Sequence, residues 1–94
     1  MPPIRRFRKR PVVIEAVQWN GMNIAQIYAL AGAHTIGLGP DGYPGALEIP
    51  TLEGTMRVDR GDWVIRGVQG EIYPCKPDIF AETYEEVADD ATVN

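Results

Sequence analysis

Arg60-Gly61-Asp62-Trp63-Val64-Ile65-Arg66-Gly67-Val68-Gln69-Gly70-Glu71-Ile72-Tyr73-Pro74-Cys75-Lys76-Pro77-Asp78-Ile79-Phe80 is the stretch on which the fold turns. It reads as strand, tight turn, strand and short helical segment. Gly61-Asp62 closes a turn, and Trp63-Val64-Ile65-Arg66 is a run of aromatic and β-branched residues suited to a pleated, half-buried surface. Gly67-Val68-Gln69-Gly70 reverses the chain, with glycines able to take positive φ. Glu71-Ile72-Tyr73 returns. Pro74 and Pro77 lack backbone donors, so pairing must stop or become edge-like there. Asp78 opens a helical turn or two, where the helix dipole favours an acid. Ile79, Phe80, Thr83 and Tyr84 fall on one side of it.

Upstream, Ala46-Leu47-Glu48-Ile49-Pro50 is a short strand expected to end at its Pro, and Met56-Arg57-Val58 pairs back after the turn at Leu52-Glu53-Gly54-Thr55. Short strands joined by Gly-containing turns indicate an antiparallel meander. Between them and the N-terminal half, Gly37 to Gly45 holds four Gly and two Pro and is expected to be an exposed loop, preceded by a short strand at His34-Thr35-Ile36-Gly37-Leu38. Asn23 reads as a helix N-cap with Gln26 completing a capping box. Ile24, Ile27, Tyr28 and Leu30-Ala31 follow at helical spacing, and Gly32 stops the helix. Tyr28 is expected to fill the core. Pro11 to Trp19 reads as the first strand, apolar on both faces and therefore central or covered on both sides. Glu15 within it needs a rim position or a partner, and a salt-bridged structural role is expected before a catalytic one.

Ninety-four residues, 45% of them hydrophobic, make one domain able to bury a modest core. The expected organisation is a basic arm over residues 1–10, an α+β domain over 11–87 and a frayed acidic tail over 88–94. The domain is a small curved, mostly antiparallel sheet or partly open barrel with one packed helix at about 23–32 and a short C-terminal helical turn. The net charge of −4 hides a strong asymmetry: residues 1–10 contain Arg5, Arg6, Arg8, Lys9 and Arg10 and no acid, whereas the remainder carries four bases and thirteen acids. The arm is read either as a contact for phosphate or an acidic partner, or as a solvated terminus lying on the chain's own acidic tail. No apolar run suggests a membrane span or a secretory leader, and a single Cys fits a reducing cytosol.

Motifs for chemistry are missing. There is no Gly-x-Ser-x-Gly, Cys-x-x-Cys, His-Glu-x-x-His or P-loop. His34 and Cys75 stand far apart in sequence, so neither a metal site nor a Cys–His dyad is expected, and no cofactor is implied. Arg60-Gly61-Asp62 is read as turn chemistry. Cys75 beside Lys76 is read as a small hydrophobe, with a lowered pKa as the reactive alternative. A ligand site has more support: Trp63, Arg66, Tyr73 and Lys76 lie on or just after one hairpin, and aromatics interleaved with bases suit stacking on a base and neutralising a phosphate. The net acidity argues against general nucleic-acid binding.

Arg5-Arg6-Phe7-Arg8-Lys9-Arg10-Pro11-Val12-Val13-Ile14-Glu15-Ala16-Val17-Gln18-Trp19, Leu47 to Gly54, and Gly61-Asp62-Trp63-Val64-Ile65 onward through Tyr73-Pro74-Cys75-Lys76-Pro77-Asp78-Ile79-Phe80 together resemble a group of small phage and prophage proteins without an assigned function. The resemblance implies a phage origin and the host cytoplasm, and no catalytic residue. The expectation is a non-enzymatic phage accessory protein that binds a host protein or small ligand. A nucleotide-type binder that removes a host defence signal and a minor virion component are the alternatives. Homodimers are the commonest closed assembly for such chains.

Overall fold

A computed structural model of the chain describes residues 3–8, 10–32, 36–38 and 45–87. The elements are β1 (Glu15–Gln18), α1 (Ile24–Ala31), β2 (Gly37–Leu38), β3 (Leu47–Thr51), β4 (Gly54–Val58), β5 (Trp63–Arg66), β6 (Ile72–Cys75) and α2 (Pro77–Thr83). Among the described residues this is an α+β fold with two three-stranded antiparallel sheets, ordered β1-β5-β6 and β2-β3-β4, that do not close into a barrel.

The strand–turn–strand–helix reading of residues 60–80 holds, with one change. Pro74 lies inside β6, paired with Val64. It is tolerated because β6 is an edge strand and its N–H side needs no ladder partner. Pro50 likewise sits inside β3, opposite Thr55. β2 pairs only with Leu47 and Glu48, so beyond Glu48 the β2 side of β3 is an edge where a missing donor breaks no bond.

β1 starts at Glu15, not at Pro11, and it is an edge strand instead of a central one. Its partner β5 gives way at Gly67 to a turn, so residues before Glu15 have nothing to pair with. The face carrying Val17 and Trp19 does join the core. Trp19 is fully buried among Ile27, Leu30, Leu47, Ile49, Val58, Val64 and Ile72, and its indole N–H donates to Gly45 O at 3.1 Å. The opposite face of the sheet, with Ala16, Ile65 and Tyr73 in register, lies under α2.

The turn before α1 departs from the expected capping box. Asn23 is the N-cap but makes no side-chain cap bond. Its Oδ1 accepts from Asn20 N–H at 2.9 Å, while Nδ2 donates to Gln18 O at 2.8 Å and to Gln26 Oε1 at 2.9 Å. Asn23 thus ties the helix start back to β1. Gly21, at φ 92°, makes this reversal, and a Cβ there would stand 2.8 Å from Arg60 Nε. Gly32, at φ 62°, ends the helix as expected. Tyr28 does not fill the core: α1 buries Ile27, Leu30 and Ala31, and Tyr28 is half exposed beside that stripe. In α2, Phe80 and Tyr84 face the sheet while Ile79 faces out, because the ring of Phe80 seats on Trp63. His34, Thr35 and most of the Gly37–Gly45 loop lie outside the described residues, as does the 88–94 tail.

Trp19→Ala is expected to cost about 3–5 kcal/mol, the range for removing a large buried aromatic side chain. Gly21→Ala should also destabilise, by at least about 1 kcal/mol, through the disfavoured φ and the clash with Arg60. Urea unfolding checks both, and wild-type stability in either variant contradicts the packing described.

Candidate functional site

Trp63 and Arg66 are brought to the sheet by β5, Tyr73 by β6, and Lys76 follows β6 directly. The register places them differently. Trp63 lies opposite Cys75 and Ile65 opposite Tyr73, so Trp63 and Tyr73 share the face under α2. Arg66 lies opposite Ile72 and belongs to the core face, with α1. The four side chains therefore do not converge on one site, and only Trp63 and Arg66 line a common cavity, of about 650 Å³ beside β1. Each already has a partner within the chain.

Trp63 stacks on Phe80, with ring centroids 4.1 Å apart and planes within 4°. Phe80 in turn tilts against Tyr84 at 4.9 Å. This aromatic file holds α2 to the sheet, and none of the residues of α2 is fully buried. Tyr73 is pushed up to about 12 by burial first and then by the adjacent Tyr84 hydroxyl.

Arg66 grips Glu15 on β1: Nε donates to Glu15 Oε1 at 3.0 Å and Nη2 pairs with the same oxygen. Nη1 donates to Leu30 O at 3.4 Å, near the C-terminal end of α1 where a cation is favoured. The salt-bridged reading of Glu15 is thus what the structure contains, on a carboxylate that is largely exposed.

Lys76 Nζ donates to Asp62 Oδ2 at 2.9 Å and to Asp59 Oδ2 at 3.2 Å. Asp62 is buried, and its Oδ2 also accepts from Asp59 N–H at 2.9 Å. Arg57 Nε donates to Asp59 Oδ1 at 2.7 Å. Arg57 and then Lys76 hold the Asp59 carboxyl below its ordinary value, and Asp62 followed by Asp59 holds the Lys76 ammonium above its own. Arg60-Gly61-Asp62 is turn chemistry in this setting: Gly61 N–H donates to Trp19 O and Trp19 N–H to Asp62 O. The Cys75 thiol is half buried and pushed up, by burial first, then by Asp78 and Asp62. Its neighbour Lys76 does not lower it, because the ammonium turns to the two aspartates.

Sequence reasoning missed the partners: Glu15 for Arg66, Asp59 and Asp62 for Lys76, and Phe80 for Trp63. The Asp59-Arg60-Gly61-Asp62 turn was the available signal for one of them. It also missed a groove of about 900 Å³ beside β1, walled by Val12, Val13, Val17, Trp63 and Phe80 and by the acids Glu85 and Glu86. Among the described residues no three His, Cys, Asp or Glu gather closely enough to hold a metal ion.

The arm stands apart from all of this. Arg5, Arg6, Arg8 and Arg10 are exposed, and Lys9 lies outside the described residues. Ile4 is 99% and Phe7 82% exposed, and the Arg5 guanidinium sits over the Phe7 ring at 5.2 Å. No ion pair among the described residues joins the arm to Glu82, Glu85 or Glu86. Likewise, no helix among the described residues is long and apolar enough to cross a membrane.

Comparison of the chain with protein-family models, with curated proteins and with solved structures gives no match.

Asp62→Ala is expected to cost about 1–3 kcal/mol, because it leaves the Asp59 amide without its acceptor and cuts the Lys76 tie. Stability should also vary with pH at both extremes. Asp59 contributes above its ordinary 3.8, and the contribution is lost as pH falls through the lower folded-state value. Tyr73 and Lys76 contribute below 10.0 and 10.5 respectively, and theirs is lost as pH rises through the higher folded-state values. Thermal unfolding across pH should show a plateau with a fall at each end. Tyr73→Phe should flatten the alkaline fall, and an unchanged alkaline slope contradicts the assignment.

Proposed function

We propose that this chain is a non-enzymatic bacteriophage accessory protein that acts in the host cytoplasm by binding an acidic host protein through its N-terminal arm. The phage setting follows from the resemblance of the arm, the first strand and the C-terminal hairpin to small phage proteins. The observation that carries the binding reading is the arm itself. Residues 3–8 combine three arginines with Ile4 and Phe7, both almost entirely exposed and without a seat on the body of the chain. Such a segment offers apolar anchors framed by positive charge, which suits a partner with an acidic surface and a hydrophobic recess. The body presents the arm, and its Arg57, Arg66 and Lys76 are ion-paired with Asp59, Glu15 and Asp62. The hairpin residues Trp63, Arg66, Tyr73 and Lys76 are engaged inside the fold, so the small-ligand reading has less support than the protein-binding one.

The test is affinity capture from host lysate with three baits: the full chain, a chain lacking residues 1–8, and Arg5→Glu/Arg6→Glu/Arg8→Glu. One acidic protein should be retained by the first bait, released by raised salt, and absent from the other two. Equal recovery on all three baits would falsify the reading.

A further inference from the structure

Among the described residues, β1 is an edge strand with one side bare. Its pairing to β5 uses alternate residues: Trp19 N–H donates to Asp62 O at 2.9 Å, and on the same period Val17 and Glu15 face β5. The N–H and C=O of Ala16, and of Ile14 before it, therefore point away from the sheet. At Gln18 this outer side is already closed, since Asn23 Nδ2 donates to its carbonyl. Residues 10–14 make no hydrogen bond to another described residue. A bare strand edge is a template for another strand unless it is covered or charged.

Two cavities flank this edge. One of about 650 Å³ lies on the α1 side, and the groove of about 900 Å³ lies on the α2 side. Glu15, Ala16 and Val17 wall both. Side chains of an added strand alternate between the two faces of a sheet, so one added strand fills both spaces.

We infer that this strand is the same segment of a second copy. Residues 12–16 of two chains pair antiparallel about a two-fold axis at Ile14 and join two three-stranded sheets into one. Three features favour this occupant. The segment is apolar and β-branched, with Val12 48% and Val13 61% exposed in the single chain. Pro11 falls at a position whose amide faces away from the new partner, so it breaks no bond in that register. Finally, Arg10 shares a face with Ala16 on the two-residue period. That is the α2 face, and each copy's Glu85 and Glu86 are among the residues that line the groove there. The pairing sets Val13 opposite Glu15 of the second copy, twice by symmetry. It leaves residues 3–8 free, so each dimer displays two arms.

Sedimentation velocity over a concentration series tests this. The full chain should sediment at twice its 10.4 kDa mass. Ile14→Pro removes an outward donor that no described residue uses. It should give the single-chain mass with an unchanged circular-dichroism spectrum. Val13→Glu, at an exposed position, places like charges opposite each other and should weaken the dimer about tenfold, whereas Val13→Lys should not. A single-chain mass at every concentration overturns the inference, as does a dimer indifferent to both Ile14→Pro and Val13→Glu. Removal of residues 1–8 should leave the dimer intact while ending capture of the acidic partner, so this inference and the proposed function fail separately.

Discussion

Asp62 carries a carboxylate into the interior in the turn that joins the two sheets, beside the end of β1. A buried charge is costly unless it is paired and hydrogen-bonded. Here it accepts from the Asp59 amide and from Lys76, and the backbone around it clasps Trp19 on both sides. The turn from Asp59 to Asp62 links β4 of one sheet to β5 of the other. Lys76 ties the end of β6 to that turn, and Trp19 brings in the end of β1. Four elements are thus located by one tetrapeptide, and the Trp19 indole at its back fills the centre of the core.

Once that junction is set, the central sheet acquires two different coverings. On one face, Val17, Val64 and Ile72 pack with α1 and the second sheet, and Arg66 reaches across to Glu15 and the end of α1. On the other, Ile65 is buried beneath a short α2 whose attachment is the stack of Phe80 on Trp63. The basic and aromatic residues of the hairpin are used up in these tasks. In the proposed function, recognition falls to what remains outside: the arm and, in the proposed dimer, the outer side of β1.

Local pattern made much of this legible. The Gly-punctuated hairpin, the helix ending at Gly32 and the short helical segment after Pro77 all follow from turn chemistry and side-chain period, which act within a few residues. The face shared by Val17 and Trp19 was legible for the same reason. The errors came where a distant neighbour decides. Pro50 and Pro74 sit inside strands because each lies on a sheet edge, and edge position depends on which strands stand alongside. Tyr28 and Ile79 are exposed because the partner surface is narrower than the apolar stripe presented to it.

By itself the sequence determined the class of fold, the antiparallel hairpin of 63–66 with 71–73, the helix at about 23–32, and the split between a basic arm and an acidic body. These depend on φ preferences, period and composition, all local quantities. The tertiary structure alone decided that the strands divide into two sheets, that β1 is an edge, and that Arg66 meets Glu15 fifty-one positions away. It alone decided that Trp63, Arg66, Tyr73 and Lys76 are spread over both faces and which partners Trp63, Arg66 and Lys76 meet there. A two-residue period says which face a side chain takes but not what waits there. Partner choice is set by long-range packing, where burying one core in common outweighs any preference a short segment has alone.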